Sequence, residues 1–125
     1  MKIQFADNEH RAFYEQTIQR CRNTDSYHRA LVYTLGLSPD TRSHFKDCGY
    51  PGDCIEPDAL SKGWQTSGSI ALTRLAFNLW NGFDDSYCTP ADLFNHAYAP
   101  YLFQAIQLRY PEHFRGKDAP FFDER

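Results

Sequence analysis

Apolar residues recur along most of this chain at spacings of three and four positions, the period of an amphipathic α-helix. Capping residues precede these stripes: Asp7 or Asn8 stands before the first, Asp25 before the second and Ser38 before the third. The sequence therefore predicts an all-α fold of about six helices. The predicted helical segments are approximately 8–22, 26–35, 38–46, a short turn at 58–62, 69–81, one starting at 90, and 101–109.

The longest apolar segment, 69–81, carries hydrophobic side chains around nearly its whole circumference, with Arg74 as its one charged residue. A helix of this composition must be covered on all sides, so we expect it at the centre of the fold. Gly82 follows it and is typical of a helix end. An arginine on such a helix needs an acidic partner, for which we expect Asp25 or an acid on another helix, with a bound phosphate as the alternative.

Three parts of the chain depart from the helical pattern. Glycine and proline interrupt it between residues 47 and 57, which predicts one long irregular loop. Weak alternation at Ile3 and Phe5 predicts a short N-terminal strand. Residues 112–125 mix charges with phenylalanines and are expected to form an arm that packs through those rings. No repeat or linker divides the chain, so residues 1–125 are predicted to form a single domain.

Composition and charge exclude several classes of protein. The 125 residues include 10 Phe, 8 Tyr and 2 Trp, too many aromatic residues for a disordered chain. No apolar run approaches the ~20 residues of a membrane-spanning helix. The formal net charge is −3, and the largest basic group is Arg20, Arg22 and Arg29, so no direct contact with nucleic acid or membranes is expected. Residues 1–7 lack the apolar stretch of a secretory signal, so the expected compartment is the cytoplasm.

The cysteines suggest a metal site. Without a secretory signal, they are expected to be free thiols or metal ligands rather than disulfides. His44, Cys48 and Cys54 lie in or beside the irregular loop. Zinc takes about four nitrogen or sulfur ligands, so these three residues could hold a structural zinc, with His28 or Cys21 as the fourth ligand. The spacing lacks the Cys-x2-Cys pair typical of zinc sites, and buried thiols beside an exposed histidine remain the alternative.

The turn before the central helix is a candidate ligand site. It offers hydroxyls, a glycine and backbone N–H groups at a helix N-terminus, which together favour the binding of an anion. The residues that could bind a small molecule or anion here are Trp64, Gln65, Thr66, Ser67 and Arg74. The same residue types cap and pack any helix start, and the lysine of a P-loop is absent, so helix capping remains the alternative.

Catalytic motifs are missing. His28 follows Asp25 by three residues and His96 follows Asp92 by four, so either acid could orient an imidazole for proton transfer. Each acid is equally well explained as a helix cap or first-turn residue. The serine nucleophile elbow, the zinc-protease helix and the Walker lysine do not occur. The sequence therefore favours a protein that is not an enzyme.

Two runs carry a resemblance: Gly-Trp-Gln-Thr-Ser-Gly at 63–68 and Ala-Ile-Gln-Leu-Arg-Tyr-Pro at 105–111. With shorter segments such as Tyr-Thr-Leu-Gly at 33–36, the chain resembles, over roughly residues 1–113, a family of uncharacterised proteins of Gram-positive bacteria and their phages and prophages. That family has no established activity, so the resemblance implies no catalytic residue. It implies a phage setting, in which small cytoplasmic proteins are often anti-defence factors, including inhibitors of CRISPR nucleases.

The expected function is therefore that of a non-enzymatic phage or mobile-element protein that binds and inhibits a host protein. The partner that the resemblance suggests is a CRISPR effector such as Cas9, whose basic groove would meet acidic side chains of this chain. Those acidic side chains are Asp84, Asp85, Asp118, Asp123 and Glu124. The alternative is a small-molecule or anion-binding protein, or a small enzyme, that uses the turn at 64–69 and Arg74.

Overall fold

The computed structural model describes residues 2–114, and all regular structure in that range is helical, which confirms the predicted all-α class. The α-helices are α1 (Asn8–Ile18), α2 (Ser26–Leu35), α3 (Pro39–Ser43), α4 (Phe45–Cys48), α5 (Ser67–Asn81), α6 (Pro90–Leu93) and α7 (Ala99–Arg109). Two 3-10 helices add Pro57–Ser61 and Pro111–His113. Most of the predicted C-terminal arm, 115–125, lies outside the described residues.

The predicted N-terminal strand is wrong for the described chain, because no other strand in residues 2–114 is available to pair with it. The segment instead packs through a side chain: the ring of Phe5 lies 5.2 Å from that of His10 and 5.5 Å from that of Tyr14. The Gln4 N–H donates to Oε1 of Gln104 on α7 at 2.9 Å. The weak alternation thus marks a segment without regular structure that packs against α1 and α7.

Helix α5 is buried over most of its length, as its composition predicts, but it shares the centre of the fold with α2. Seven of the ten residues of α2 are buried, and α2 packs most extensively against α5 and then α7. One apolar cluster lies between α2, α5, α7 and the side chains of α1, and a second joins α2 and α5 to α4 and Pro57–Ser61. Each of the two apolar clusters therefore contains side chains of both α2 and α5.

Side-chain caps set the helix boundaries. Asp7, Asp25 and Ser38 accept backbone N–H groups at the starts of α1, α2 and α3, as predicted. The predicted 38–46 helix divides at His44, whose φ of −112° and ψ of 26° leave the helical region between α3 and α4. Helix α5 starts two residues earlier than predicted, because Thr66 is its cap. None of the helices in the described range is long and apolar enough to cross a membrane.

Candidate functional site

The structure does not bring the predicted zinc ligands together. His44 donates from Nδ1 to the Asp40 carbonyl at 2.9 Å, and its ring stacks on Trp64 with centroids 4.3 Å apart. Cys48 is fully buried in the apolar cluster around α4, and burial raises the pKa of its thiol to about 12. The Cys54 thiol donates to the Tyr50 carbonyl at 3.5 Å. His44 and Cys54 therefore have hydrogen-bond partners of their own, and Cys48 is enclosed by apolar side chains.

Another group of potential metal ligands stands out within residues 2–114. Asp84, Asp85 and Cys88 place one ligand atom each within 4.8 Å of one another, and theirs is the one such group of three or more in that range. Asp84 accepts the Ser86 N–H at 2.8 Å and so also stabilises the turn between α5 and α6. Neither His28 nor His44 belongs to this group.

His28, the fourth predicted zinc ligand, lies instead between two carboxylates. Its Nδ1 is 2.7 Å from Oδ1 of Asp25, and its Nε2 is 2.9 Å from Oδ1 of Asp53 in the irregular loop. The Arg22 backbone N–H also donates to Asp53 at 2.9 Å. Burial alone would raise the pKa of Asp25, but hydrogen bonds from the His28 ring and backbone outweigh it and lower that pKa. This network ties Asp53 of the irregular loop to the start of α2.

Most polar side chains in the turn before α5 already form hydrogen bonds within the protein. Thr66 and Ser69 form a reciprocal capping box, in which each side chain accepts the backbone N–H of the other. The Ser69 hydroxyl also donates to Oε1 of Gln65 at 2.6 Å, and the Gln65 amide donates to the Ala59 carbonyl at 3.1 Å. Trp64 donates from Nε1 to Asp47 at 3.0 Å. Ser67 is exposed at the first position of the helix.

Arg74 is paired, though with neither Asp25 nor an acid on another helix. Its Nε donates to Oδ2 of Asp85 at 2.8 Å, and Asp85 lies in the connection between α5 and α6. The guanidinium carbon also lies 5.0 Å from the centroid of the Tyr87 ring. The predicted acid–guanidinium pair exists, with a loop residue supplying the acid. Asp85 therefore already balances the charge of Arg74 and occupies its Nε.

Of the two acid–histidine pairs, one forms. Asp25 contacts His28, as described above, whereas His96 accepts the Tyr98 N–H at Nδ1 at 3.1 Å. Asp92 forms a capping box with Thr89. Nε2 of His96 is buried without a hydrogen-bond partner in the described part of the chain, and burial lowers the pKa of this histidine. The second pair therefore serves as a helix cap and a packed ring.

The most distinctive surface feature is one that sequence reasoning missed. The guanidinium carbon of Arg109, at the end of α7, lies 3.7 Å from the ring centroid of Tyr27 and 4.5 Å from that of Tyr110. Its Nε donates to the Leu79 carbonyl at 2.8 Å, which anchors it to α5. The Trp80 ring lies 6.5 Å from Tyr27 and extends the surface. We call Tyr27, Trp80, Arg109 and Tyr110 the arginine–tyrosine surface.

A family model described as a family of unknown function, DUF6075, matches residues 1–120. The chain belongs to this family. Membership in an uncharacterised family agrees with the resemblance found in the sequence. No curated protein and no solved structure matches the chain, so these comparisons supply no activity for the DUF6075 protein.

In the DUF6075 protein, the arginine–tyrosine surface holds a cation in a fixed place between aromatic rings that remain accessible. Tyr27 keeps 42% of its surface exposed and Tyr110 keeps 38%. Arg109 has no acidic partner among residues 2–114. A guanidinium in this setting can donate hydrogen bonds to a carboxylate or a carbonyl oxygen of another molecule.

Proposed function

We propose that this protein is a non-enzymatic binding protein that contacts another protein through the arginine–tyrosine surface. The observation that carries the proposal is the placement of the Arg109 guanidinium between Tyr27 and Tyr110 at 3.7 and 4.5 Å. Cation–aromatic contacts of this kind contribute roughly 0.5–2 kcal/mol each, and they hold the charged group in one orientation. The partner therefore meets a surface that is already arranged for contact.

The residue types support a protein partner. Arginine, tyrosine and tryptophan are the side chains that most often dominate the energy of protein–protein interfaces. Ordering flexible side chains on binding costs conformational entropy. The hydrogen bond from Arg109 to the Leu79 carbonyl already restricts this side chain and so reduces that cost. The exposed ring surfaces of Tyr27 and Tyr110 supply apolar area around the charge. Charge and apolar contact thus lie side by side, as in the centre of an interface.

The charge of Arg109 indicates the chemistry of the partner. Because no acid of the described chain neutralises this guanidinium, a carboxylate of the partner would pair with it without competition. The partner surface would therefore present an Asp or Glu beside apolar side chains that cover the two tyrosine rings. Such a pair, shielded from water by the rings, is stronger than an exposed salt bridge.

The biological role that we propose follows from the resemblance to phage and prophage proteins of Gram-positive bacteria. In that role the protein acts in the host cytoplasm, where it binds and inhibits a host protein. A CRISPR effector such as Cas9 is the specific partner to test first, and the proposed contact is to an acidic and apolar patch of its surface rather than to its basic groove. No membrane or nucleic-acid contact is part of the proposal. Support comes from the lack of catalytic motifs and from a preformed contact surface.

The test compares the wild-type protein with Arg109→Ala and with the matched control Arg20→Ala. Arg20 is an exposed arginine without an ion pair in residues 2–114, so both variants lose one positive charge. Tagged proteins are incubated with lysates of Gram-positive hosts, and a purified Cas9–guide complex is assayed for DNA cleavage in their presence. Circular dichroism checks that each variant keeps its helices.

We expect the wild type and Arg20→Ala to recover the same partner stoichiometrically and Arg109→Ala to lose at least about tenfold in affinity, the effect of an interface residue worth 1.4 kcal/mol. Inhibition of Cas9 by the wild type and not by Arg109→Ala would identify that partner. Equal recovery by Arg109→Ala, or no stoichiometric partner from any lysate, would overturn the proposal.

A further inference from the structure

A cleft of about 240 Å³ opens on another part of the protein, lined by Ile3, Tyr14, Arg29, Leu108 and Pro111. The N-terminal segment, α1, α2 and α7 each contribute to its wall. Three of the five lining residues are aliphatic or proline, so most of the wall is apolar. The two remaining residues, Tyr14 and Arg29, supply a hydroxyl and a guanidinium.

Tyr14 presents an unused hydroxyl. The residue is only 7% exposed, and no hydrogen bond engages its hydroxyl within residues 2–114. The hydroxyl oxygen keeps some accessible surface, and Tyr14 lines the cleft. Burial raises the pKa of Tyr14, partly offset by the charge of Arg29, so the hydroxyl keeps its proton at neutral pH and can donate it. An accessible hydroxyl of this kind can donate to water or to a ligand in the cleft.

The ring of Tyr14 is fixed by its neighbours. Its centroid lies 5.5 Å from the Phe5 ring and 6.4 Å from the Tyr33 ring, both at tilted or edge-on angles. Tyr33 is itself fully buried, and its hydroxyl donates to the Gln4 carbonyl at 2.6 Å. The Tyr14 hydroxyl is therefore held in one position rather than free to turn away from the cleft.

Arg29 supplies the charge. Its side chain is exposed, and it has no ion pair or hydrogen bond within the described range. Glu112, which follows the lining residue Pro111, pairs with His113 instead, with 4.0 Å between Oε2 and Nε2. The guanidinium fork matches the two oxygens of a carboxylate. One unpaired cation and one neutral donor thus converge on an otherwise apolar cavity.

We propose that this cleft binds a small organic monocarboxylate, whose carboxylate pairs with Arg29 and accepts the Tyr14 hydroxyl while its apolar body lies against Ile3 and Leu108. A single guanidinium balances one negative charge, which favours a monoanion over a phosphate dianion. The cleft volume of about 240 Å³ leaves room for a small ring or a short chain. This inference is independent of the proposed function, because none of the lining residues belongs to the arginine–tyrosine surface.

The experiment titrates the full chain with benzoate, cyclohexanecarboxylate and hexanoate by calorimetry and by NMR shifts. Benzamide serves as the neutral isostere of benzoate, and inorganic phosphate serves as an anion without an apolar body. The variants are Arg29→Gln, Tyr14→Phe and the control Arg20→Gln, which removes an equal charge outside the cleft. Tyr14→Phe keeps the buried ring and removes the hydroxyl alone.

We expect at least one carboxylate to bind saturably, and benzamide and phosphate to bind at least tenfold more weakly than it does. Arg29→Gln should weaken the carboxylate at least tenfold, and Tyr14→Phe by about two- to tenfold, the effect of one hydrogen bond. Arg20→Gln should leave the affinity unchanged. The proposal is overturned if no carboxylate binds saturably, if benzamide or phosphate binds equally well, or if Arg29→Gln and Arg20→Gln have equal effects.

Discussion

His10 on α1 and Tyr33 on α2 are joined by a buried hydrogen bond, in which Nε2 of His10 lies 2.8 Å from the Tyr33 carbonyl oxygen. The other ring nitrogen, Nδ1, accepts the Ala6 N–H at 3.1 Å. Because one nitrogen donates and the other accepts, the ring fits this place as a neutral imidazole. His10 is completely buried, and burial lowers its pKa below the ordinary value of 6.5.

We expect the protein to lose stability as the pH falls below about 6.5, because the unfolded chain then binds a proton that folded His10 resists. The loss approaches about 1.4 kcal/mol per pH unit for one such group, until the pH reaches the folded pKa. His96, whose pKa is also lowered, adds to this slope. Urea unfolding at pH 7.5, 6 and 5 measures it.

The matched variants are His10→Gln and His113→Gln. Glutamine at position 10 can still donate to Tyr33 but cannot be protonated, so the slope should flatten while the stability at pH 7.5 falls. His113 has 71% of its side chain exposed, and replacing it should leave the slope as in the wild type. An unchanged slope in His10→Gln would show that another group is responsible.

Gly52 gives a second prediction, about the attachment of the irregular loop to α1. Its φ of +120° lies in the region that favours glycine, and a Cβ there would lie 2.6 Å from Sγ of Cys21. We expect Gly52→Ala to destabilise the fold by at least about 2 kcal/mol, through backbone strain and the clash. Gly63 is the control, since a Cβ there meets nothing within 4 Å.

Gly63→Ala should change the free energy of unfolding by less than about 1 kcal/mol, and in the stabilising direction. Denaturation of both variants under the same conditions gives the comparison. If Gly52→Ala is as stable as Gly63→Ala, the loop does not pack on Cys21 as the structure describes.

The helices could be predicted because their causes are local. Asp7, Asp25 and Ser38 each cap a helix that starts one residue later, and the apolar composition of 69–81 already requires burial. Local sequence does not define a helix boundary where two neighbouring residues can both act as the cap. Residues before α5 offered caps at several positions, and the reciprocal bonds of Thr66 and Ser69 decide between them.

The sites could not be predicted in the same way, because their residues are distant in sequence. Asp53 meets His28 across 25 positions, and no spacing rule links the two. Arg109 meets Tyr27 through the packing of α7 on α2, which periodicity alone does not specify. The spacing of Asp25 and His28 predicts their contact, whereas Asp53 takes the place that the sequence assigned to zinc.

Zinc content provides a third prediction. The predicted ligands His44, Cys48, Cys54 and His28 each have a local contact, and a shared metal would require the irregular loop to rearrange. We therefore expect substoichiometric zinc when the protein is purified with zinc in the medium and measured by plasma mass spectrometry. Stoichiometric zinc that Cys48→Ser and Cys54→Ser both remove would contradict this geometry and support the predicted zinc site.

The network of His28 with Asp25 and Asp53 gives the last prediction. Each ring nitrogen of His28 lies within hydrogen-bond distance of one carboxylate, and hydrogen bonds to charged groups are worth about 1.5–3 kcal/mol each. The side chain of Asp53 is only 9% exposed, against 48% for Asp25. When either carboxylate is replaced, water can take over the lost hydrogen bond more easily at position 25 than at position 53. The two acids therefore differ in their expected contributions to stability.

We expect Asp53→Asn to destabilise the protein by about 1–3 kcal/mol, and Asp25→Asn by less, since asparagine also caps helices well. Replacement of Asp53 should also speed the reaction of Cys54 with a thiol reagent, which Asp25→Asn should leave nearly unchanged. Two causes add here: the loop loses its tie to α2, and the thiol, whose pKa is raised by burial and by the charges of Glu56 and Asp53, loses one of those charges. Equal stabilities and equal labelling rates for the two variants would show that the loop is held by the packing of Gly52 on Cys21 rather than by the buried network.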